Sequence, residues 1–110
     1  MNYRHAYHAG NFADVVKHAL LTRLIAYLKR KEKPFRVFDT HAGRGSYSLT
    51  SDEAQRTGEH ADGVGRLVQA AADVMDDPLL AEYREALASD LSEDRYPGSP
   101  LIARRLLRPQ

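Results

Sequence analysis

Apolar residues recur at four-residue intervals through Val16, Leu20, Leu24 and Leu28, with Leu21 and Ile25 widening the stripe. That spacing predicts an amphipathic helix. Asn11 is a good N-cap for it, and Asp14 sits near the favourable end of the helix dipole. The run Lys29-Arg30-Lys31 suits a helix C-terminus, and Pro34 follows it. Phe35 to Asp39 then reads as a short strand centred on Val37 and Phe38. Residues 40–46 (Thr-His-Ala-Gly-Arg-Gly-Ser) form a glycine-bearing loop.

Residues 51–94 are mostly helical in character. Val64, Leu67, Val68 and Ala71 fit one helix, and Asp77-Pro78 starts another that carries Leu79, Leu80, Tyr83 and Leu87. Tyr96-Pro97-Gly98 reads as a turn. Ser99 then caps a last helix with Pro100 at its first position, where a missing N–H costs nothing. The order is helix, strand, glycine loop, helices. One strand cannot make a sheet, so the pattern reads as the opening of an α/β domain.

A chain of 110 residues allows one small domain. Without cysteine it forms no disulfide and no thiolate zinc site, which fits a reducing compartment. The most apolar stretch, Ala19 to Leu28, is broken by Thr22 and Arg23, too short for a signal peptide or membrane span. Net charge is +1, but its distribution is uneven. Residues 1–36 hold eight Lys/Arg against Asp14 and Glu32, whereas residues 51–94 hold twelve Asp/Glu against Arg56, Arg66 and Arg84. Such asymmetry suits either a polyanion on one face or ordinary solvated helix surfaces.

Three segments could carry chemistry. In Asp39-Thr40-His41-Ala42-Gly43-Arg44-Gly45 an acidic residue ends the expected strand and two glycines follow. Glycines let backbone approach a ligand at the carboxyl edge of a sheet, but the same segment suits a plain turn. No Gly-Lys-Ser/Thr follows, so it is not a Walker A loop. His18 lies one turn after Asp14, so that carboxylate could orient its imidazole. No cysteine or helical His-x-x-x-His pair supports a metal site. Tyr3, Tyr7 and Phe12, interleaved with Arg4, His5 and His8, could stack on unpaired bases or simply anchor the arm.

The stretch Tyr3 to His18 (YRHAYHAGNFADVVKH) resembles the start of the RlmJ-type family of 23S ribosomal RNA adenine-N6 methyltransferases. So do Asp39 to Gly45 (DTHAGRG) and Tyr96 to Ala103 (YPGSPLIA), in the same order and spacing. The resemblance implies an α/β fold: a partial Rossmann-like S-adenosylmethionine-dependent methyltransferase core with an inserted helical subdomain. Residues 1–50 would supply the arm, first helix, first strand and glycine loop, 51–95 the insertion, and 96–110 the return to the core.

The same resemblance implies that His18, His41 and Ser99 contact S-adenosylmethionine. Tyr3 would contact 23S ribosomal RNA, with His5 and Lys17 beside substrate or cofactor. The enzyme would be cytoplasmic, without metal or membrane attachment. Relatives continue into a second strand and an Asp-Pro-Pro-Tyr motif that carries the catalytic aspartate; these 110 residues contain no such motif. The chain is therefore expected to be a truncated form, inactive alone, with exposed sheet edges that favour self-association. The rival expectation is a non-catalytic RNA-binding or interaction module.

Overall fold

A computed structural model describes residues 5–40, 42–69 and 77–108. Tyr3 and His41 lie outside the described residues, as does Ala71. A short 3-10 turn, His5–Tyr7, leads into helix α1, Phe12–Lys29. Asn11 caps α1 as its sequence predicts: it is extended, and its side-chain oxygen accepts from the Asp14 amide at 2.9 Å. At the other end the Arg108 guanidinium donates to the carbonyls of Lys29, at 2.8 Å, and Lys31. A cation thus sits where the helix leaves its last carbonyls unpaired.

The face that α1 buries is not the expected one. Asp14, His18, Thr22 and Ile25 face inward. Leu20 and Leu24 are 65% and 57% exposed, and Val16 is exposed as well. Leu21 does pack against the core, and Ile25 is buried, so the widened edge of the stripe is inside while its centre is outside. The polar residues tolerate burial because each has a partner. Thr22 Oγ1, for instance, donates to the Ala19 carbonyl at 2.8 Å.

Phe35 to Asp39 forms no strand. Residues 34–39 belong to no regular element, and Phe38 is 82% exposed. A strand exists by pairing its N–H and C=O groups with a neighbour, and no described segment offers one there. The β structure lies elsewhere. Strand β1, Ser46–Ser48, pairs antiparallel with β2, Arg95–Pro97, setting Tyr47 opposite Tyr96. Tyr96-Pro97 is thus ribbon, where a turn was expected. The described chain is a mixed helix and strand domain, helices predominating.

Helix α2, Asp52–Thr57, is capped by Ser51, whose Oγ accepts from the Ala54 amide at 3.2 Å. Helices α3, Glu59–Asp62, and α4, Val64–Gln69, follow. A 3-10 turn, Pro78–Leu80, is capped by Asp77 and runs into α5, Ala81–Leu91. Helix α6, Ser99–Leu106, starts one residue earlier than its sequence suggests: Gly98 is the N-cap and Ser99 the first helical residue. Val64, Tyr83, Ala86 and Leu87 share one core with Leu49, Tyr96 and Ile102, so residues on both sides of 51–95 meet there. Arg105 ties α6 to α5 through the Ala86 carbonyl, at 2.6 Å, and the Asp90 carboxylate.

Candidate functional site

Asp14 gathers the N-terminal segment around one buried carboxylate. Its Oδ2 accepts from the Gly10 amide at 3.0 Å and lies 2.8 Å from His5 Nε2. Lys17 Nζ stands 3.6 Å from Oδ1. Burial pushes the Asp14 carboxyl up, but the His5 hydrogen bond, the His5 and His18 charges and the Gly10 amide outweigh it and hold it below its ordinary value. His5 and Lys17, both expected near substrate, therefore converge on one acid. With Asn11 and Ala13 they line a shallow cavity of about 280 Å³.

Asp14 does not orient His18 by a hydrogen bond, contrary to the expectation from their spacing. Gly10 and His5 both engage Oδ2, and Lys17 stands at Oδ1. The His18 ring is held by Tyr96 instead. Nδ1 lies 2.7 Å from the Tyr96 hydroxyl, and the two rings stack with centroids 5.5 Å apart. The Tyr96 hydroxyl in turn lies 2.8 Å from that of Tyr83. All three side chains are fully buried. Burial pushes the His18 pKa down to about 4, with the Asp14 charge opposing and the Lys17 and His5 charges reinforcing that shift. Burial pushes both phenols far above their usual range. At neutral pH the cluster is uncharged.

A cavity of about 320 Å³ opens beside this cluster, between α1, the 37–40 segment and the start of α6. Lys17, His18, Asp39 and Ser99 supply its polar lining; Leu21, Val37, Phe38 and Ala103 supply apolar wall. Ser99 Oγ donates to Asp39 Oδ2, closing the junction between the loop and α6. His18 Nε2 is buried with no hydrogen-bond partner among the described residues. The His18 side chain is among those that line the cavity. The lining pairs an ammonium and an imidazole with a carboxylate over an apolar wall, which suits a small zwitterionic molecule with an apolar or ring portion.

Of the expected cofactor residues, His18 and Ser99 thus share one cavity, and Thr40, the neighbour of His41, lines it too. Asp39 was legible as the acid that heads the glycine segment, with no role of its own, and Tyr83 only as a residue of its helix. The signal for Tyr96 was its place in the Tyr96-Pro97-Gly98-Ser99 motif. Among the described residues no group of three or more His, Cys, Asp or Glu could hold a metal ion, and no helix is long and apolar enough to cross a membrane.

A family model described as "Ribosomal RNA large subunit methyltransferase D, RlmJ" matches residues 32–110. The chain is 47% identical, over its whole length, to ribosomal RNA large subunit methyltransferase J of Escherichia coli, of which it covers 39%. It is 44% identical to the protein of the same name from Haemophilus influenzae, covering 40% of it. A crystal structure of a Legionella pneumophila protein superposes with a TM-score of 0.76 at 39% identity, over 91% of this chain and 36% of that one. The chain thus spans about two fifths of the length of the curated relatives it matches.

Proposed function

The chain belongs to the RlmJ family of ribosomal RNA large subunit methyltransferases, and on that footing we propose that it forms the cofactor-binding front part of an S-adenosylmethionine-dependent enzyme that methylates the N6 amine of an adenine in 23S ribosomal RNA. The observation that carries this reading is the meeting of His18 and Ser99, from opposite ends of the chain, in one cavity with Asp39 and Lys17.

S-adenosylmethionine, when bound, supplies a methyl group on a sulfonium. The work of this chain is to hold it so that the methyl faces the incoming amine. Asp39 offers a carboxylate to the ammonium or a hydroxyl of the cofactor. Lys17 and His18 offer hydrogen-bond donors to its oxygens, and Leu21, Val37 and Phe38 exclude water. His41 and Tyr3 belong to the same proposed site by resemblance, His41 toward the cofactor and Tyr3 toward the base. His5, fixed on Asp14, and Lys17 belong near substrate or cofactor by the same resemblance.

The fold reading that goes with this function is a partial Rossmann-like core. Residues 1–50 and 96–110 would contribute to the core, and 51–95 would be the inserted helical subdomain. The exposed Val16, Leu20, Leu24 and Phe38 form apolar surface of the kind a parallel sheet covers in such folds. The 110 residues contain no Asp-Pro-Pro-Tyr, the motif to which the resemblance gives the catalytic aspartate, so no catalytic residue is assigned among them. The enzyme is assigned to the cytoplasm, where ribosomal RNA is its partner.

Titration with S-adenosylhomocysteine, followed calorimetrically, tests the reading. Saturable one-to-one binding supports it. RNA binding with no cofactor binding would instead make the chain an RNA-binding module. Methylation of ribosomal RNA by the 110 residues alone would mean that they hold a catalytic residue after all.

A further inference from the structure

The hydroxyls of Tyr83 and Tyr96 and the imidazole of His18 form one linear chain: Tyr83 to Tyr96 at 2.8 Å, Tyr96 to His18 Nδ1 at 2.7 Å. Each hydroxyl has one hydrogen to give, and neutral imidazole has one ring N–H. With the Tyr96 hydrogen used inside it, the chain can run in only two directions; were Tyr96 to accept from both neighbours instead, its own hydrogen and Nε2 would both go unmet. In the first, hydrogens pass from Tyr83 to Tyr96 to His18 Nδ1, placing the ring proton on Nε2. In the second, they pass from His18 Nδ1 to Tyr96 to Tyr83, leaving Nε2 bare.

The two directions differ in what they leave unmet. In the second, the Tyr83 hydrogen has no acceptor among the described residues, because the one hydrogen bond of that fully buried hydroxyl is to Tyr96. Nε2 is then a second unmet atom. In the first, every hydroxyl hydrogen is used and the sole unmet group is the Nε2 hydrogen. Each direction leaves one buried donor unmet, but the second also leaves the bare Nε2 acceptor unmet; buried unmet polar groups are costly, so the first direction prevails. Imidazole geometry points Nε2 away from Tyr96.

We propose that Tyr83 and Tyr96 are positioning residues that lock His18 in the Nε2–H tautomer, so that the ring presents a neutral donor to an oxygen acceptor of the ligand in the adjoining cavity. This rests on the proposed function for the identity of that ligand, but not for the tautomer. The low pKa of His18 agrees with it: the ring is neutral at physiological pH, so the contact is a donor of fixed sense and not a cation. Tyr83 touches neither the His18 ring nitrogens nor the cavity. Its part is to fill the acceptor side of the Tyr96 hydroxyl, leaving that hydroxyl only Nδ1 to donate to.

The test is a long-range nitrogen–proton NMR correlation of the histidine rings in the isotope-labelled 110-residue chain at neutral pH. His18 is expected to show a protonated Nε2 and a bare Nδ1. The opposite pattern overturns the proposal. Tyr83→Phe should blur the signature toward a tautomer mixture, although the hydroxyl it removes makes no bond to the ring; an unchanged signature in that variant overturns the positioning role. Tyr96→Phe should blur it further and weaken S-adenosylhomocysteine binding by roughly tenfold, the loss of about one good hydrogen bond. Should Tyr96→Phe not fold, the parent spectrum and Tyr83→Phe decide. If S-adenosylhomocysteine fails to bind the parent chain, the proposed function falls while the ring spectrum still decides the tautomer.

Discussion

The Ser99 hydroxyl donates to the carboxylate of Asp39, a residue sixty positions earlier in the chain. This bond joins the segment before the glycine loop to the first turn of α6. It also explains why Ser99 is not the N-cap: its hydroxyl is engaged outside the helix, and Gly98 takes the cap position. Both side chains line the cavity. Ser99→Ala removes the hydroxyl and frees the carboxylate to turn. Hydrogen bonds to charged groups contribute about 1.5–3 kcal/mol, so S-adenosylhomocysteine affinity should fall roughly tenfold or more. Asp39→Asn and His41→Ala should weaken it as well. Unchanged dissociation constants in all three variants, with unchanged circular dichroism, would place the cofactor elsewhere.

Stability should depend on pH through His18. Its folded pKa is about 4, below the 6.5 of an unperturbed histidine. Between those values the unfolded chain binds a proton that the folded chain refuses, so stability falls as pH drops from 6.5 toward 4. Above 6.5 the effect vanishes. The charged groups acting on the ring are Asp14, Asp39, Lys17 and His5. The full loss is on the order of 3 kcal/mol at pH 4. Asp14, whose pKa is lowered, acts in a separate window: its contribution is lost only as pH falls below the ordinary value of 3.8. Urea denaturation at pH 7.0 and 4.5 should show the midpoint falling, and His18→Gln should flatten that slope. A midpoint insensitive to pH in the parent chain would mean that His18 is solvated.

The reversed face of α1 predicts an inverted mutational pattern. Leu20→Ala and Leu24→Ala should change stability by no more than about 0.5 kcal/mol, as exposed positions do. Ile25, 1% exposed, should cost about 2–5 kcal/mol on truncation to Ala. Guanidinium or urea titrations of the three variants measure this directly. Large losses at Leu20 and Leu24 in this chain would show that the apolar stripe is covered in solution.

That inversion marks the boundary of what the residues alone disclosed. The Asn11 cap, the extent of α1, the Asp77-Pro78 start and the final helix were legible, because caps and proline act within a few residues of themselves. The buried face of α1 was not. Periodicity sorts positions by polarity, and it cannot see that Asp14 finds the Gly10 amide and His18 finds Tyr96. The strand at Phe35 to Asp39 failed for a related reason: its β character is real, but pairing needs a neighbour that the described residues lack. Strand β1, Ser-Tyr-Ser, carries almost no signal of its own and forms because β2 is opposite it. In the candidate site, the resemblance named His18 and Ser99, whereas the Tyr83–Tyr96 contact arises only from how the folded chain packs.

The sharpest structural test lies at Gly63, where two backbones cross. Val64 donates its amide to the Gly10 carbonyl at 2.8 Å, clipping the start of α4 to the turn before α1. A Cβ added at Gly63 would sit 2.2 Å from that carbonyl oxygen and 2.4 Å from the Asn11 carbonyl carbon. Those are backbone atoms, so no rotamer change relieves the clash. Gly63→Ala must push the Gly10–Phe12 segment away, and that segment carries the Asn11 cap and the amide held by Asp14. The cost should reach about 3 kcal/mol, the upper end for overpacking, and S-adenosylhomocysteine binding should weaken because His18 rides on the same helix. Gly45→Ala is the matched control, since nothing lies within 4 Å of its added Cβ. It should leave stability unchanged. Equal melting temperatures for the two variants would mean that the 10–12 and 63–64 backbones do not touch, and that the N-terminus of α1 is held in some other way.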